Sequence, residues 1–100
     1  MSKIPNHLIK AYNGNIINIH PSLLPKYKGL NTHKRVLENN EKNTGCSVHF
    51  VTEKLDGGEI ILQKKIKIFK KDNVKSLKNR VLKEEYKLYP KSIIKILSNY

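Results

Sequence analysis

The chain has 100 residues, of which 38% are hydrophobic, and it carries a formal net charge of +12 at pH 7. This length allows one small domain with a modest core. No apolar run approaches the roughly 20 residues that a membrane-spanning helix needs, and the first residues lack the apolar stretch of a secretory signal. The single cysteine, Cys46, cannot form an internal disulfide, which is compatible with a reducing cytoplasm. We therefore expect a cytoplasmic single domain.

The positive charge has two interpretations. A strongly basic chain is typical of proteins that bind nucleic acid or a membrane surface. However, nearly all the charge is lysine spread along the whole chain, and the only arginines are Arg35 and Arg80. Phosphate and base recognition usually depends on the planar fork of arginine. We therefore favour a solvated lysine-rich surface, with no nucleic-acid or membrane partner, whose positive field attracts an anionic small substrate.

The first half of the chain predicts a helix, a strand and a second helix. Residues 4–14 suggest a short helix that ends at Gly14, a plausible C-cap. Residues 15–19, "NIINI", are rich in β-branched side chains and predict a buried strand. The prolines and glycine in residues 21–29 predict a loop. A short helix follows over residues 31–40, with Asn31 or Thr32 as its cap.

The second half predicts two strands and a long helix. Residues 45–53 and 59–69 alternate in strand fashion, and "LDGG" separates them. The helix follows Asp72 and Asn73, a possible cap, and Pro90 should bend or restart it. Its apolar residues recur close to a 3.6-residue period. They are Val74, Leu77, Val81, Leu88, Ile93 and Leu97.

These elements sum to an α/β fold with too few strands. A strand such as "NIINI" in an α/β sheet normally has parallel neighbours, which are reached through crossover helices. Three strands make an unusually small sheet. The pattern therefore predicts part of a larger fold.

The chemistry concentrates at the end of the first strand. Asn18 and His20 are two residues apart, so their side chains point to the same face. An asparagine amide can donate to a developing oxyanion, and a histidine can act as an acid, a base or a positive charge. Asp56, in "LDGG", is the candidate carboxylate that would raise the pKa of His20.

Each of these motifs also has a simpler interpretation. A histidine beside a proline is often structural, and Asp-Gly-Gly between two strands is a common hairpin turn. Cys46 has no activating neighbour in the sequence, so a thiol nucleophile is not expected. The sequence contains no nucleotide-binding glycine motif and no metal-ligand cluster.

Two longer blocks carry a resemblance. The stretches "NIHPSLLPKYKGLNTH" and "GCSVHFVTEKLDGGEIILQ" closely resemble the carboxyl-terminal half of the phosphoribosylglycinamide formyltransferases, folate-dependent enzymes of purine synthesis. The likeness runs from about Ile4 to Leu97. It implies that Asn18, His20 and Asp56 form the catalytic centre, with Asn18 also contacting the substrate. It further implies a substrate-binding role for Glu85.

The resemblance also implies an architecture. We expect an α/β fold, namely a partial formyltransferase-type open sheet with a long carboxyl-terminal helix. Residues 1–100 would be the carboxyl-terminal catalytic part of the domain, and the amino-terminal phosphate-binding half is absent from them. A cis peptide bond is expected at Leu24–Pro25, where it would help to hold His20 in place.

The implied reaction is formyl transfer from 10-formyltetrahydrofolate, the co-substrate, to the amine of glycinamide ribonucleotide, without a metal. Related enzymes remain as alternatives. Methionyl-tRNA formyltransferases usually carry Arg-Trp-Arg-Gly where this chain has "KYKG", which makes them a poorer match. A formyltetrahydrofolate hydrolase is the runner-up, and a truncated relative that only binds is the non-enzyme alternative.

Overall fold

The computed structural model describes residues 16–98. The helix predicted over residues 4–14 lies outside the described residues. Within them, three strands and two helices follow one another along the chain. They are β1 (Ile17–His20), α1 (Thr32–Glu38), β2 (Asn43–Phe50), β3 (Ile60–Lys67) and α2 (Val74–Ser98). No helix in this part of the chain is both long and apolar enough to cross a membrane.

The three described strands form one sheet in the order β1-β2-β3, and both pairings are antiparallel. The expectation of parallel neighbours for β1 is wrong for these pairings. The short connection over residues 51–59 allows β2 and β3 to pair only as a hairpin, because a parallel crossover needs a dozen or more residues. "LDGG" therefore does lie in a hairpin loop, as the simpler interpretation had it.

The core lies between one face of the sheet and α2. Cys46 and Val48 of β2 are fully buried there, and Leu77 and Val81 of α2 pack in the same cluster. The remaining buried members are Val36, Ile61, Ile66 and Leu88. The α2 periodicity is therefore confirmed at Leu77, Val81 and Leu88, whereas Val74, in the first turn, is exposed.

The last turns of α2 depart from the predicted pattern. Ile93 and Leu97 are exposed, whereas Ser92 is fully buried, and its hydroxyl donates to the Leu88 carbonyl at 2.9 Å. A serine tolerates burial because this bond satisfies its hydroxyl within the helix. Pro90 lies inside α2 and does not restart it.

The start of α2 follows the sequence closely. The Asn73 side chain accepts from the Ser76 amide at 2.9 Å, and the Ser76 hydroxyl accepts from the Asn73 amide at 3.0 Å. This reciprocal pair satisfies two amides that the helix itself leaves without partners. The predicted cap is confirmed at Asn73. At α1, Asn31 takes the cap position in a left-handed conformation, but its side chain makes no capping bond.

Candidate active site

The polar face of the sheet is the face opposite the core, and it carries side chains from two strands. Cross-strand neighbours share a face, and the register pairs Asn18 with His49 and His20 with Ser47. His20, Ser47 and His49 are each at most 2% exposed, while Asn18 is half-buried. Two polar side chains from β1 and two from β2 therefore lie together, which we call the polar face.

The ring of His20 lies between two oxygen atoms. Its Nε2 is 2.8 Å from the Tyr27 carbonyl oxygen, and its Nδ1 is 3.4 Å from Oδ1 of Asp56. The structure thus brings His20 and Asp56 together, as the sequence predicted. Both ring nitrogens can donate only when the ring is protonated, so the imidazolium form gains a hydrogen bond that the neutral form lacks.

Asp56 joins two loops. Its Oδ2 accepts from the Gly29 amide at 2.7 Å, while Oδ1 faces His20. The residue is 7% exposed and has a left-handed backbone with φ 48°, which aspartate tolerates better than most residues. Gly58, nearby, has φ 97°, and a side chain there would collide with the Phe50 carbonyl. The loop over residues 51–59 is thereby shaped to hold Asp56 against His20.

The protonation of His20 differs from the expectation. Burial of the ring lowers the pKa of His20 below the ordinary value of 6.5, and the Tyr27 carbonyl and the Asp56 charge raise it by less. The net pKa of His20 is therefore lowered rather than raised as the sequence predicted. Asp56 acts in the predicted direction, but the desolvation of a buried cation is larger.

Ser47 is a site residue that the sequence reasoning missed. Its hydroxyl donates to the Ser22 carbonyl at 2.7 Å and accepts from the Leu24 amide at 3.1 Å. The side chain of Gln63 donates both to this hydroxyl at 3.0 Å and to the Leu24 carbonyl at 2.8 Å. The Leu24–Pro25 peptide bond is cis, as predicted. These contacts fix the backbone that follows His20.

The signal for Ser47 and His49 was present in the alternation of residues 45–53, which places both on one face. What the sequence lacked was the register that sets this face beside Asn18 and His20. Both residues therefore became site residues only when β2 was seen to pair with β1.

Glu85 lies apart from these residues. It is half-buried on α2, and burial raises its pKa. Its charge acts on Cys46, on the core face of the sheet. Burial, with Glu85 and Glu84 in support, raises the pKa of the Cys46 thiol to about 12. Within residues 16–98 no hydrogen bond or ion pair joins Glu85 to Asn18, His20 or Asp56.

No set of three histidine, cysteine, aspartate or glutamate side chains in the described part of the chain is arranged to hold a metal ion. The polar face, with Asp56 beside it, instead offers an amide, two imidazoles, a hydroxyl and a carboxylate. These groups can donate and accept protons and can stabilise a negative charge that develops during a reaction.

Comparison with known proteins places this geometry in a family. The family model described as formyl transferase matches residues 1–93. The chain belongs to the formyl transferase family. The phosphoribosylglycinamide formyltransferase of Escherichia coli is 50% identical to it over 82 residues, which cover 82% of the chain and 39% of that enzyme. The human trifunctional purine biosynthetic protein adenosine-3 is 45% identical over 85 residues, which are 8% of its length.

Solved structures of this formyl transferase family agree. The phosphoribosylglycinamide formyltransferase of Bacillus halodurans superposes with a TM-score of 0.91 at 39% identity, covering 98% of this chain and 50% of that one. The enzyme from Anaplasma phagocytophilum gives 0.89 at 40% identity, covering 93% and 46%. The chain thus spans about half the length of these two enzymes and about two fifths of the length of the Escherichia coli relative.

Proposed function

We propose that this chain is the carboxyl-terminal catalytic part of a phosphoribosylglycinamide formyltransferase that acts in cytoplasmic purine synthesis. The protein transfers a formyl group from 10-formyltetrahydrofolate to the amine of glycinamide ribonucleotide. The observation that carries this proposal is the contact between His20 and Asp56 beside Asn18, in a chain whose relatives bear this enzyme's name.

In this proposal the reaction passes through a tetrahedral intermediate. The amine attacks the formyl carbon, and the electron pair of the carbonyl moves to its oxygen. The Asn18 amide donates a hydrogen bond to that oxygen, because its half-buried side chain lies on the polar face of β1 without a partner of its own among the described residues. Removal of one such donor typically slows a reaction by roughly 100- to 1000-fold.

His20 responds to the charge that the intermediate develops. At rest burial lowers its pKa, but a negative oxygen nearby favours the imidazolium. The protonated ring can donate to the Tyr27 carbonyl and to the Asp56 carboxylate at the same time. The hydrogen-bond acceptors for the charged form are therefore already in place. Asp56 orients the ring and helps to route a proton through water to the leaving nitrogen of the folate.

Glu85 is the proposed contact for glycinamide ribonucleotide. Its half-buried carboxyl on α2 has its pKa raised by burial, so a cationic or hydroxyl-bearing substrate group would satisfy it. The positive field of the chain favours the approach of anionic substrates. The proposed partners are thus two small molecules and the amino-terminal half of the domain.

The test supplies the full-length protein and 10-formyltetrahydrofolate with one of three acceptors. These are glycinamide ribonucleotide, water alone, and charged initiator tRNA. We expect rapid transfer to the glycinamide amine. Faster release of formate than transfer to the amine would identify a hydrolase, transfer to the tRNA would identify the other transferase, and binding of folate without turnover would identify a binding-only relative.

A further inference from the structure

The two ring nitrogens of His49 have different surroundings. Nδ1 lies 3.0 Å from the carbonyl oxygens of both Phe50 and Gly57. Carbonyl oxygens only accept hydrogen bonds, so Nδ1 carries the hydrogen. In the neutral ring Nε2 then bears a lone pair and can only accept. The contacts of one nitrogen thereby define the chemistry of the other.

Nε2 of His49 is buried and has no hydrogen-bond partner among the described residues. The whole residue is 2% exposed. A buried acceptor without a donor has lost its hydrogen bond to water without forming another, so its burial costs free energy. Such groups are uncommon in folded proteins, and each needs an explanation. Because His49 lies at the edge of a candidate active site, a hydrogen-bond donor on the substrate would explain this unpaired acceptor.

The side-chain amide of Asn18 is a hydrogen-bond donor beside His49. Asn18 lies directly opposite His49 in the β1–β2 register, on the same polar face, and its side-chain amide makes no hydrogen bond to the described residues. A free donor and a free acceptor are therefore neighbours. Together they suit a group that carries an oxygen to accept from Asn18 and an N–H to donate to His49.

The two reacting groups of formyl transfer present this pair. The formyl oxygen can accept from Asn18, and the N–H of the attacking amine can donate to His49. We propose that His49 is a further catalytic residue, whose Nε2 accepts the proton that the attacking amine loses. This inference rests on the formyl transfer proposed above. Protonation of Nε2 would strengthen the bonds from Nδ1–H to the Phe50 and Gly57 carbonyls, since hydrogen bonds from a charged donor are stronger.

The proposed step balances. The nitrogen lone pair of the amine forms the new bond to the formyl carbon, the carbonyl electron pair moves to oxygen, and the amine proton passes to Nε2 of His49. When the intermediate collapses, the oxygen pair re-forms the carbonyl, the bond to the folate nitrogen breaks, and the proton passes from His49 to that nitrogen through the water route that Asp56 supports. The ring returns to its neutral form, and no oxidant or further reactant is needed.

The experiment uses the full-length protein and the variant His49→Asn. The amide N–H of asparagine can replace Nδ1–H towards the Gly57 carbonyl, but nothing replaces Nε2. We expect kcat to fall by about 100-fold or more, with both KM values and the unfolding temperature little changed. Thr44→Val, on the same strand but on the core side, is the matched control and should keep kcat.

Two further measurements test the role of His49 even if the His49→Asn variant folds poorly. Nitrogen NMR of the wild-type protein should find the hydrogen on Nδ1 and none on Nε2. Added imidazole should restore turnover to His49→Ala in proportion to its concentration. Wild-type kcat in His49→Asn, a protonated Nε2 at neutral pH, or no rescue by imidazole would each overturn the role of His49. Failure of the wild-type protein to formylate the amine would instead overturn the proposed function.

Discussion

The hydroxyl of Ser47 in β2 holds the backbone of Leu24 in the loop after β1, accepting from its amide at 3.1 Å. The same hydroxyl donates to the Ser22 carbonyl and accepts from Gln63. Ser47 and Ser22 are fully buried, so none of these groups can turn to water instead. One small side chain therefore connects the hairpin to the segment that leaves His20.

Ser47→Ala should destabilise the fold by about 1–3 kcal/mol, because it leaves the buried Leu24 amide and Ser22 carbonyl without a partner. The measurement is urea unfolding of the full-length protein. Ser98→Ala is the control, since its hydroxyl bonds the Ile94 carbonyl at an exposed helix end, and it should change stability by less than about 0.5 kcal/mol. Equal effects of the two variants would contradict the structural role of Ser47.

Asn18→Ala, His20→Ala and Asp56→Ala should each lower kcat far more than they weaken substrate binding, since in the proposed mechanism these groups act on charge that appears in the transition state. We expect roughly a 100-fold or larger loss for Asn18→Ala. Steady-state kinetics in both substrates measures the split. A rise in KM at unchanged kcat would assign these residues to substrate binding alone.

Asp56→Asn should lower the pKa of His20 further, because the Asp56 charge raises it and the amide is neutral. An NMR titration of the His20 ring measures the change. Glu59→Gln removes a charge from the same loop without touching His20, and it serves as the control. An unchanged pKa in Asp56→Asn would count against the pairing seen in the structure.

The protein should lose stability as the pH falls through 6.5. Burial lowers the pKa of His20 and of His33 in the folded state, so the unfolded chain binds more protons below pH 6.5. Each such proton contributes a slope of about 1.4 kcal/mol per pH unit until the folded pKa is reached. Denaturant unfolding between pH 8 and 5 measures it, and His33→Gln should flatten the curve. An identical slope in that variant would contradict the assignment.

Thr44 tests the cost of a buried hydroxyl. Its Oγ1 is buried without a partner among the described residues, and the residue is 3% exposed. Thr44→Val keeps the shape and should stabilise the protein by about 1 kcal/mol. Thr44→Ser keeps the hydroxyl and removes a buried methyl, so it should destabilise. Thermal unfolding of both compares them, and a less stable valine variant would show that the hydroxyl has a partner.

The 100-residue chain on its own should be marginally stable and nearly inactive. Within the described residues β1 is an edge strand that pairs only with β2, and its Ile17 and Ile19 are half-buried. Such an edge invites self-association. Size-exclusion chromatography, thermal unfolding and titration with a folate analogue check this. A monomer that unfolds cooperatively, binds the analogue and turns over would show that the chain is a self-sufficient catalytic domain.

The sequence predicted the elements well because their signals are local. Alternation marked β2 and β3, and Asn73 marked the start of α2. It also predicted that His20 and Asp56 meet, first because Asp56 was the candidate carboxylate for His20 and then through a resemblance that spans two distant blocks. No local pattern brings residues 36 positions apart together.

What the sequence missed depends on tertiary contacts. Antiparallel pairing and register decide that Ser47 and His49 share the polar face, and register follows from the whole sheet rather than from one strand. The pKa of His20 depends on how deeply the ring is buried, which the motif does not encode. In the last turns of α2, Ile93 and Leu97 are exposed because the face turned towards the core is that of Ser92 and Ile96.

The buried position of Cys46 makes its thiol a reporter of how often the core opens. The only thiol of the chain lies fully buried between β2 and α2, and burial raises its pKa to about 12. A thiol reagent can therefore react only during the moments when the helix separates from the sheet. The rate of that labelling measures how often the core opens. Binding of either proposed substrate should slow this labelling, because a smaller fraction of the bound molecules is open at any moment.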